Sequence, residues 1–468
     1  MENGKVIVSS EAIGKATASI KKFIDALTDK ASFVETDVFV TGNTFEDAAA
    51  ALGEGVVTGY ATLGGKPVHI FAQNAEVLKG SLGKAHADKI VKCMRRAVKT
   101  GTPLISVIDC GGARIGEGVG VLEGYASVLA EAAIVSGQVP HFCIVKGNAV
   151  GMMSAFAAMA DFTFMSKDAV LSLDSPMYLA STQKEYPALN KLLGYDAHKA
   201  GADAAQFFYK SEADLKKQLV GLANILFGEV ETNDDPNRVS SALAKGVSAK
   251  DAVKAVCDDG NFVEYCAEWA KEAVCAFTSV NGMSVGIVAT DASVNKGYLS
   301  LEGAKKITAF VDKLEAFDLP LITLVDSLGF NTTLEEEKAG AAKVAAEMFA
   351  AIAGSSVDKI GVAVGKAVGA GYAALMSKGI GFDYTLATDK ASISPLAPAA
   401  AVDVLMADQL SAAKDKDLSK ARAKLEDKYA KIESDPMIAA QEGYVDNVVD
   451  AKNLRPYLAS ALMMLMGV

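Results

Sequence analysis

The stretch Ile105-Ser-Val-Ile-Asp-Cys-Gly-Gly-Ala-Arg-Ile-Gly-Glu-Gly118 is the most informative part of this chain, because a version of it returns at Leu321-Ile-Thr-Leu-Val-Asp-Ser-Leu-Gly-Phe330. In each copy a short apolar run rich in β-branched residues, typical of a buried parallel strand, stops at an Asp and opens into a Gly-containing turn. The offset between Asp109 and Asp326 is 217 residues. The pattern predicts two equivalent strand ends and, with them, two equivalent half-sites.

The segments that flank this stretch repeat in the same order. Downstream, Val145-Lys-Gly-Asn-Ala-Val-Gly-Met152 matches Val364-Gly-Lys-Ala-Val-Gly-Ala-Gly371. Self-similarity over half of the chain, with apolar strand patterns alternating with predicted helices such as a long Ala/Glu helix at residues 335–353, predicts an α/β tandem duplication. We place the two domains at residues 1–235 and 236–468, with a linker in residues 229–246, where no clear period is present.

Composition excludes several classes of protein. The formal net charge is −11 and no basic stripe offsets it, which argues against a nucleic-acid partner. The chain begins with a polar stretch rather than the apolar core of a secretion signal. Its most apolar interior run, residues 144–165, is interrupted by Lys146, Asn148 and Asp161, which argues against a membrane span. These features predict a soluble, cytoplasmic protein, with membrane association only through a partner.

Side chains suited to catalysis are few. The chain has 4 His residues, and none lies beside a nucleophile pattern or a second ligand at metal spacing, so we predict no metal site. No GxSxG elbow, Walker GxxxxGK[ST] loop or GxGxxG fingerprint with its acidic partner is present. The chemistry therefore has to come from the backbone.

Backbone amides offer that chemistry at two places. Gly112-Ala113 follows a predicted strand and Gly151-Met152 begins a predicted helix, where amides are unsatisfied donors at the positive end of the helix dipole. Two such amides that converge form an oxyanion hole. Gly329-Phe330 and Gly369-Ala370-Gly371 repeat the set in the second half. The alternative is that these Gly residues serve only tight turns and close packing.

Several motifs give the chain a resemblance to a known family. They include Gly111-Gly-Ala-Arg-Ile115 with Glu117-Gly118, Gly55-Val-Val-Thr-Gly59 and Gly80-Ser-Leu-Gly-Lys-Ala-His86. On these the chain resembles the carboxyltransferase subunits of biotin-dependent acyl-CoA carboxylases and decarboxylases, of the propionyl-CoA carboxylase beta and methylmalonyl-CoA decarboxylase alpha type. The resemblance implies two crotonase-like (ClpP/crotonase) domains.

The resemblance also implies site residues. The amides of Gly151 and Met152 would stabilise the enolate of an acyl-CoA thioester, and those of Ala370 and Gly371 the ureido oxygen of biotin. A wider group of residues would bind the substrates: Gly111, Gly112, Ala113, Arg114, Gly329, Phe330, Gly369 and Tyr372. The family usually has Gly-Gly-Ala where this chain has Gly151-Met152-Met153, so Met152 adds bulk to the predicted acyl site.

Partners follow from what the chain lacks. It has no Met-Lys-Met biotinyl motif and no ATP-binding pattern, so biotin should arrive on a separate biotin carboxyl carrier protein. The resemblance implies a homo-oligomer, from dimer to hexamer, working with a biotin carboxylase or a membrane decarboxylase subunit. Three functions stay open: the carboxyltransferase of an acetyl- or propionyl-CoA carboxylase, the alpha subunit of a sodium-pumping methylmalonyl- or glutaconyl-CoA decarboxylase, and a non-catalytic assembly subunit.

Overall fold

The computed structural model describes residues 9–42, 48–174, 176–183, 193–201, 204–227, 230–240, 243, 248–330, 332–412 and 418–467. Within this part, the chain divides into two compact units, the described residues of Met1–Val220 and those of Gly221–Val468. Each unit contains an eight-stranded, mostly parallel sheet in the described chain. The two sheets share one strand arrangement, so the predicted α/β tandem duplication is confirmed. The predicted domain boundary after residue 235 stays a prediction.

The strands of the first sheet follow the chain as β1 (Val34–Thr36), β2 (Val56–Leu63), β3 (Lys66–Gln73), β4 (Leu104–Cys110), β5 (His141–Val150), β6 (Phe162–Ser166), β7 (Val170–Ser172) and β8 (Phe207–Tyr209). Their order in the sheet is β1-β2-β3-β4-β5-β6-β8, and β7 pairs with the far end of β5. The first two pairings are antiparallel and the others are parallel.

The second sheet repeats this plan with β9 (Phe262–Tyr265), β10 (Ala273–Val280), β11 (Met283–Thr290), β12 (Leu321–Ser327), β13 (Lys359–Val368), β14 (Tyr384–Thr388), β15 (Ser392–Ser394) and β16 (Asn447–Val449). Their order is β9-β10-β11-β12-β13-β14-β16, and β15 pairs with β13 as β7 pairs with β5. Strands β4 and β12 are buried at six of seven positions, which explains their apolar, β-branched composition.

Helices connect the strands. Those of the first half are α1 (Ser10–Leu27), α2 (Lys84–Thr100), α3 (Val119–Val135), α4 (Met152–Ala158), α5 (Pro176–Gln183), α6 (Tyr195–Ala200) and α7 (Glu212–Phe227). Those of the second half are α8 (Ala249–Val256), α9 (Leu301–Ala316), α10 (Leu334–Lys338), α11 (Ala341–Gly354), α12 (Ala370–Leu375), α13 (Pro398–Leu405), α14 (Ala407–Ser411), α15 (Leu418–Glu433), α16 (Pro436–Gln441) and α17 (Leu454–Met466). None of the described helices combines the length and hydropathy that a membrane span requires.

Two segments differ from the sequence-based picture. The helix predicted at residues 335–353 is two helices, α10 and α11, because Gly340 between them has a φ of +99° and interrupts the helix. In the predicted linker, residues 230–240 are described and pack within the second unit. There the Arg238 guanidinium donates to the Ala255 and Cys257 carbonyls, at 3.1 and 2.9 Å.

Candidate active site

The Asp residues just before the ends of strands β4 and β12 hold the strand ends together. The Asp109 carboxylate accepts the Asn148 amide of β5 at 3.2 Å, and Asp326 accepts the Lys366 amide of β13 at 2.8 Å. Gly147 is needed for this approach, since a β-carbon there would lie 2.1 Å from the Asp109 carboxylate. In both sheets the pairing register shifts at the Asp. The repeated Asp therefore shapes the strand end rather than offering a free base.

The turn after β4 presents backbone donors. The Gly111 amide donates to the Lys79 carbonyl at 2.9 Å, and the Gly112 carbonyl accepts the Leu82 amide at 2.9 Å. The Ala113 amide has no acceptor among the described residues, whereas the Gly112 backbone hydrogen-bonds with the Cys110 thiol. Gly112 has a φ of +109°, a conformation that disfavours a side chain. The predicted turn is thus present, with the Gly112 carbonyl fixed and the Ala113 amide available.

The Arg114 side chain points into the protein. Its guanidinium lies 2.5 Å from the Glu54 carboxylate and 3.5 Å from that of Glu117, and the arginine side chain is 5% exposed. A guanidinium engaged in this way has little surface left for a substrate. The predicted substrate-binding role of Arg114 stays a prediction, but its side chain is committed to internal contacts.

At the start of helix α4, the two amides without an acceptor lie one residue further along the chain than the predicted pair. The Gly151 amide donates to the Ser172 carbonyl of β7 at 3.0 Å. The next two amides, of Met152 and Met153, have no acceptor among the described residues. Gly151 itself has φ +65° and ψ −145°, which only glycine adopts readily. The Met152 side chain is partly buried and packs against the first core.

The second unit repeats this geometry at helix α12. Gly369 has φ +53° and ψ −124°, and its amide donates to the Ser394 carbonyl of β15 at 3.1 Å. The amides of Ala370 and Gly371 have no acceptor in the described chain. The turn after β12 lies against them, since a β-carbon on Gly329 would be 3.3 Å from the Ala370 nitrogen and 3.5 Å from that of Gly371. The structure thus brings Gly329, Ala370 and Gly371 together.

The turn after β12 is fixed by local contacts. The Gly329 amide donates to the Ser327 hydroxyl at 3.1 Å, and its carbonyl accepts the Leu299 amide at 2.9 Å. Phe330 follows and forms an isolated parallel bridge with Leu299, as Ala113 does with Leu82 in the first unit. Both turns are therefore attached to the rest of their unit in the same way.

A cavity of about 500 Å³ borders the second half-site. Gly369, Tyr372, Ser394, Ile438 and Tyr444 are among the residues that line it. Burial raises the pKa of the Tyr372 phenol, so this group stays protonated and able to donate a hydrogen bond at neutral pH. The volume falls in the usual range for small-molecule sites, about 300–1,000 Å³.

The Carboxyl transferase domain family matches residues 10–467 of this chain. The chain belongs to the carboxyl transferase family. Methylmalonyl-CoA decarboxylase subunit alpha of Veillonella parvula is 33% identical over 98% of this chain and 92% of its own length. The propionyl-CoA carboxylase beta chain of Roseobacter denitrificans is 30% identical, with 98% of this chain and 92% of the relative covered.

A solved structure agrees with these relatives. The transcarboxylase 12S crystal structure, described as a hexamer assembly with hydrolysed methylmalonyl-coenzyme A bound, matches with a TM-score of 0.88 at 30% identity. The match covers 98% of this chain and 92% of that one. The predicted family, the crotonase-like fold and the assignment as an enzyme of the carboxyltransferase class are confirmed.

The histidines of this carboxyltransferase are occupied by structural contacts. His86 donates from Nδ1 to the Glu54 carbonyl at 2.6 Å, and its Nε2 lies 3.2 Å from the Gln73 amide nitrogen. His141 contacts the Ser106 hydroxyl at 2.8 Å, and His198 the Leu171 carbonyl at 2.9 Å. Complete burial, followed by the nearby Arg114 charge, lowers the pKa of His86 to about 3. His86 is therefore neutral at physiological pH.

This shift makes stability depend on pH. An unfolded His protonates near pH 6.5 and the folded His86 near pH 3, so between these values the unfolded chain binds one more proton. The free energy of unfolding should therefore fall on acidification through this window, by up to about 1.4 kcal/mol per pH unit. We expect wild-type protein to lose about 2 kcal/mol more than His86→Gln between pH 7 and pH 5, measured by urea unfolding. Equal losses would mean that His86 titrates normally.

Proposed function

We propose that this carboxyltransferase moves a carboxyl group between biotin, held on a separate carrier protein, and the α-carbon of a small acyl-CoA. The observation that carries the proposal is the repeated pairing of a Gly turn with a helix start whose first amides have no acceptor among the described residues. Each reactant develops negative charge on an oxygen during the transfer, so the reaction needs two sets of such donors.

The first half-site would serve the acyl-CoA. We assign the enolate oxygen to the amides of Met152 and Met153, because the Gly151 amide is already used by the Ser172 carbonyl. Amides at a helix start carry partial positive charge and need no reorganisation when the charge on the oxygen develops. Gly151 contributes by its conformation, which sets the direction of the following peptides.

The second half-site would serve biotin. A ureido oxygen that gains negative charge needs hydrogen-bond donors, and the amides of Ala370 and Gly371 can supply them. The cavity beside Gly369 has a volume suited to a compact ring system. Tyr372 and Tyr444 add phenols to its wall. These residues fit the group. When bound, biotin supplies the ureido nitrogen that carries the carboxyl group and, once free of it, takes up the α-proton.

The chain's own side chains have little part in moving that proton. Burial keeps His86 neutral, and Asp109 and Asp326 accept amides at their strand ends. The described residues thus orient the two substrates and stabilise oxygen anions, which is the part of catalysis that preorganised donors perform. This arrangement agrees with the small number of candidate bases in the sequence.

The partners follow because this chain supplies the oxygen donors, whereas biotin has to be carried and carboxylated by other proteins. We propose that the chain works as a homo-oligomer, from dimer to hexamer, in the cytoplasm, with a biotin carboxyl carrier protein and a biotin carboxylase. The hexamer assembly of transcarboxylase 12S, the solved structure that this chain resembles, supports the oligomer. A second candidate is the alpha subunit of a methylmalonyl- or glutaconyl-CoA decarboxylase with a membrane partner, which the similarity to methylmalonyl-CoA decarboxylase subunit alpha of Veillonella parvula favours.

The test is decarboxylation of malonyl-CoA, methylmalonyl-CoA and glutaconyl-CoA with free biotin as the carboxyl acceptor. We expect biotin-dependent turnover with at least one of the three, and the preferred thioester identifies the substrate. Omitting biotin should abolish the turnover. Absence of transfer from all three, together with absence of CoA-ester binding by calorimetry, would leave an assembly role as the surviving interpretation.

A further inference from the structure

Arg114 and Glu54 form a buried ion pair beneath the first Gly turn. One guanidinium nitrogen lies 2.5 Å from the Glu54 carboxylate and the other donates to the Glu54 backbone carbonyl at 2.7 Å. The side chains are 5% and 1% exposed. A planar guanidinium that contacts a carboxylate and a carbonyl of one residue is held in direction as well as in place.

Glu54 occupies this position in an unfavourable conformation. It lies between Gly53 and Gly55, and all three have positive φ, of +64°, +59° and +66°. A glutamate in the left-handed region costs free energy and persists where neighbouring groups determine its conformation.

Two further side chains make three hydrogen bonds to this short segment. The His86 ring donates to the Glu54 carbonyl at 2.6 Å, and the Lys89 ammonium donates to the Gly53 and Val56 carbonyls at 2.9 and 2.6 Å. Glu54 is thus held in a fixed position, and it fixes the guanidinium that it contacts.

The backbone of Arg114 belongs to the turn after β4. Its amide donates to the Leu82 carbonyl at 2.9 Å, and the Leu82 amide donates to the Gly112 carbonyl at 2.9 Å. Glu117 adds a second anchor, because its carboxylate accepts the Lys84 amide at 2.7 Å and lies 3.5 Å from the Arg114 guanidinium. The Ala113 amide immediately precedes this doubly anchored residue, so movement of the guanidinium would move that donor.

In the second half-site the equivalent turn, after β12, is attached without an ion pair. The 217-residue offset puts Asn331, which has no charge, at the position equivalent to Arg114. Around Gly329 the turn is attached by neutral contacts, to the Ser327 hydroxyl at 3.1 Å and from the Leu328 amide to the Gly297 carbonyl at 2.7 Å. An arginine at position 114 is therefore specific to the first half-site.

From these observations we propose that Arg114 is a positioning residue, and that its contact with Glu54 sets the place of the Gly112-Ala113 turn, and with it the Ala113 amide, at the acyl-CoA half-site. The inference rests on the proposed carboxyl transfer. It changes the role that the family resemblance implies for Arg114, from contact with the substrate to control of a donor that contacts it.

The test compares Arg114→Lys and Glu54→Gln with the wild-type chain in the biotin-dependent decarboxylation assay. A lysine keeps the charge but lacks the planar fork that orients Arg114 on the carboxylate and the carbonyl of Glu54, and a glutamine keeps the shape but loses the charge. We expect kcat to fall about 10- to 100-fold in each variant, because misplaced donors slow the chemical step. The KM for the acyl-CoA should change less than about threefold. The double variant should be no slower than the slower single one.

Arg95→Lys is the matched control, since Arg95 on α2 pairs with Glu131 at 2.8 Å but its side chain is 69% exposed. Its kcat should equal that of wild type. An Arg114→Lys variant with a native kcat and a KM raised more than tenfold would assign Arg114 to direct substrate contact and overturn the proposal. Native kcat and KM in a folded Glu54→Gln would also overturn it. Inactive wild-type protein would instead count against the carboxyl transfer itself.

Discussion

Replacing Gly369 by valine is expected to lower kcat by about 100- to 1,000-fold, the effect of losing one oxyanion donor. Gly369 has φ +53° and ψ −124°, where a β-branched residue is strained, and an added β-carbon would lie 3.3 Å from the Pro395 carbonyl. The backbone must rotate to relieve both the strain and the close contact, and that rotation displaces the amides of Ala370 and Gly371 that follow.

The variant is measured by steady-state kinetics with biotin as the varied substrate, after circular dichroism has shown that it folds. Gly354→Ala, at the end of α11, is the matched control. An added β-carbon there meets nothing within 4 Å and its φ is not positive, so the activity should equal that of wild type. A folded Gly369→Val with native kcat would show that the α12 amides do not contact the reacting group.

Much of this fold was predictable because the duplication supplies a second copy of every signal. The apolar runs that end in Asp109 and Asp326 predict central parallel strands, and both are buried as expected. The helix starts after Val150 and Val368 also follow from the repeat, since each begins at a Gly with positive φ. Local pattern and chain order determine these features, and the sequence displays both.

The contacts that the sequence could not show join residues far apart in the chain. Glu54 contacts Arg114 across 60 positions, through a left-handed conformation that a glutamate does not predict. The Gly151 amide is occupied because the three-residue strand β7, too short to carry a period, ends beside it. The position of Met153 becomes clear only from the two helix starts, because superposing Gly151 on Gly369 places Met153 at the position of Gly371.

Replacing Asp258 by alanine should destabilise the protein by about 3–5 kcal/mol, the cost of leaving a buried charge without its partner. The Arg455 side chain of α17 is fully buried and lies 2.6 Å from the Asp258 carboxylate. That carboxylate also accepts the Ser279 hydroxyl and the Asn281 and Gly282 amides, at 2.8–2.9 Å. The alanine variant removes four acceptor contacts and leaves the guanidinium with Asp234, 3.4 Å away, as its remaining carboxylate.

The loss is measured as the free energy of urea unfolding at a fixed protein concentration, so that any oligomer contributes equally to both proteins. Glu347→Ala is the control. Glu347 also pairs with a cation, Lys343 at 2.9 Å, but the two side chains are 51% and 79% exposed, and the change should stay within about 0.5 kcal/mol. A loss below about 1 kcal/mol in Asp258→Ala would mean that water or Asp234 compensates the Arg455 charge. The expected loss would show instead that Asp258 holds α17 against the β10–β11 turn.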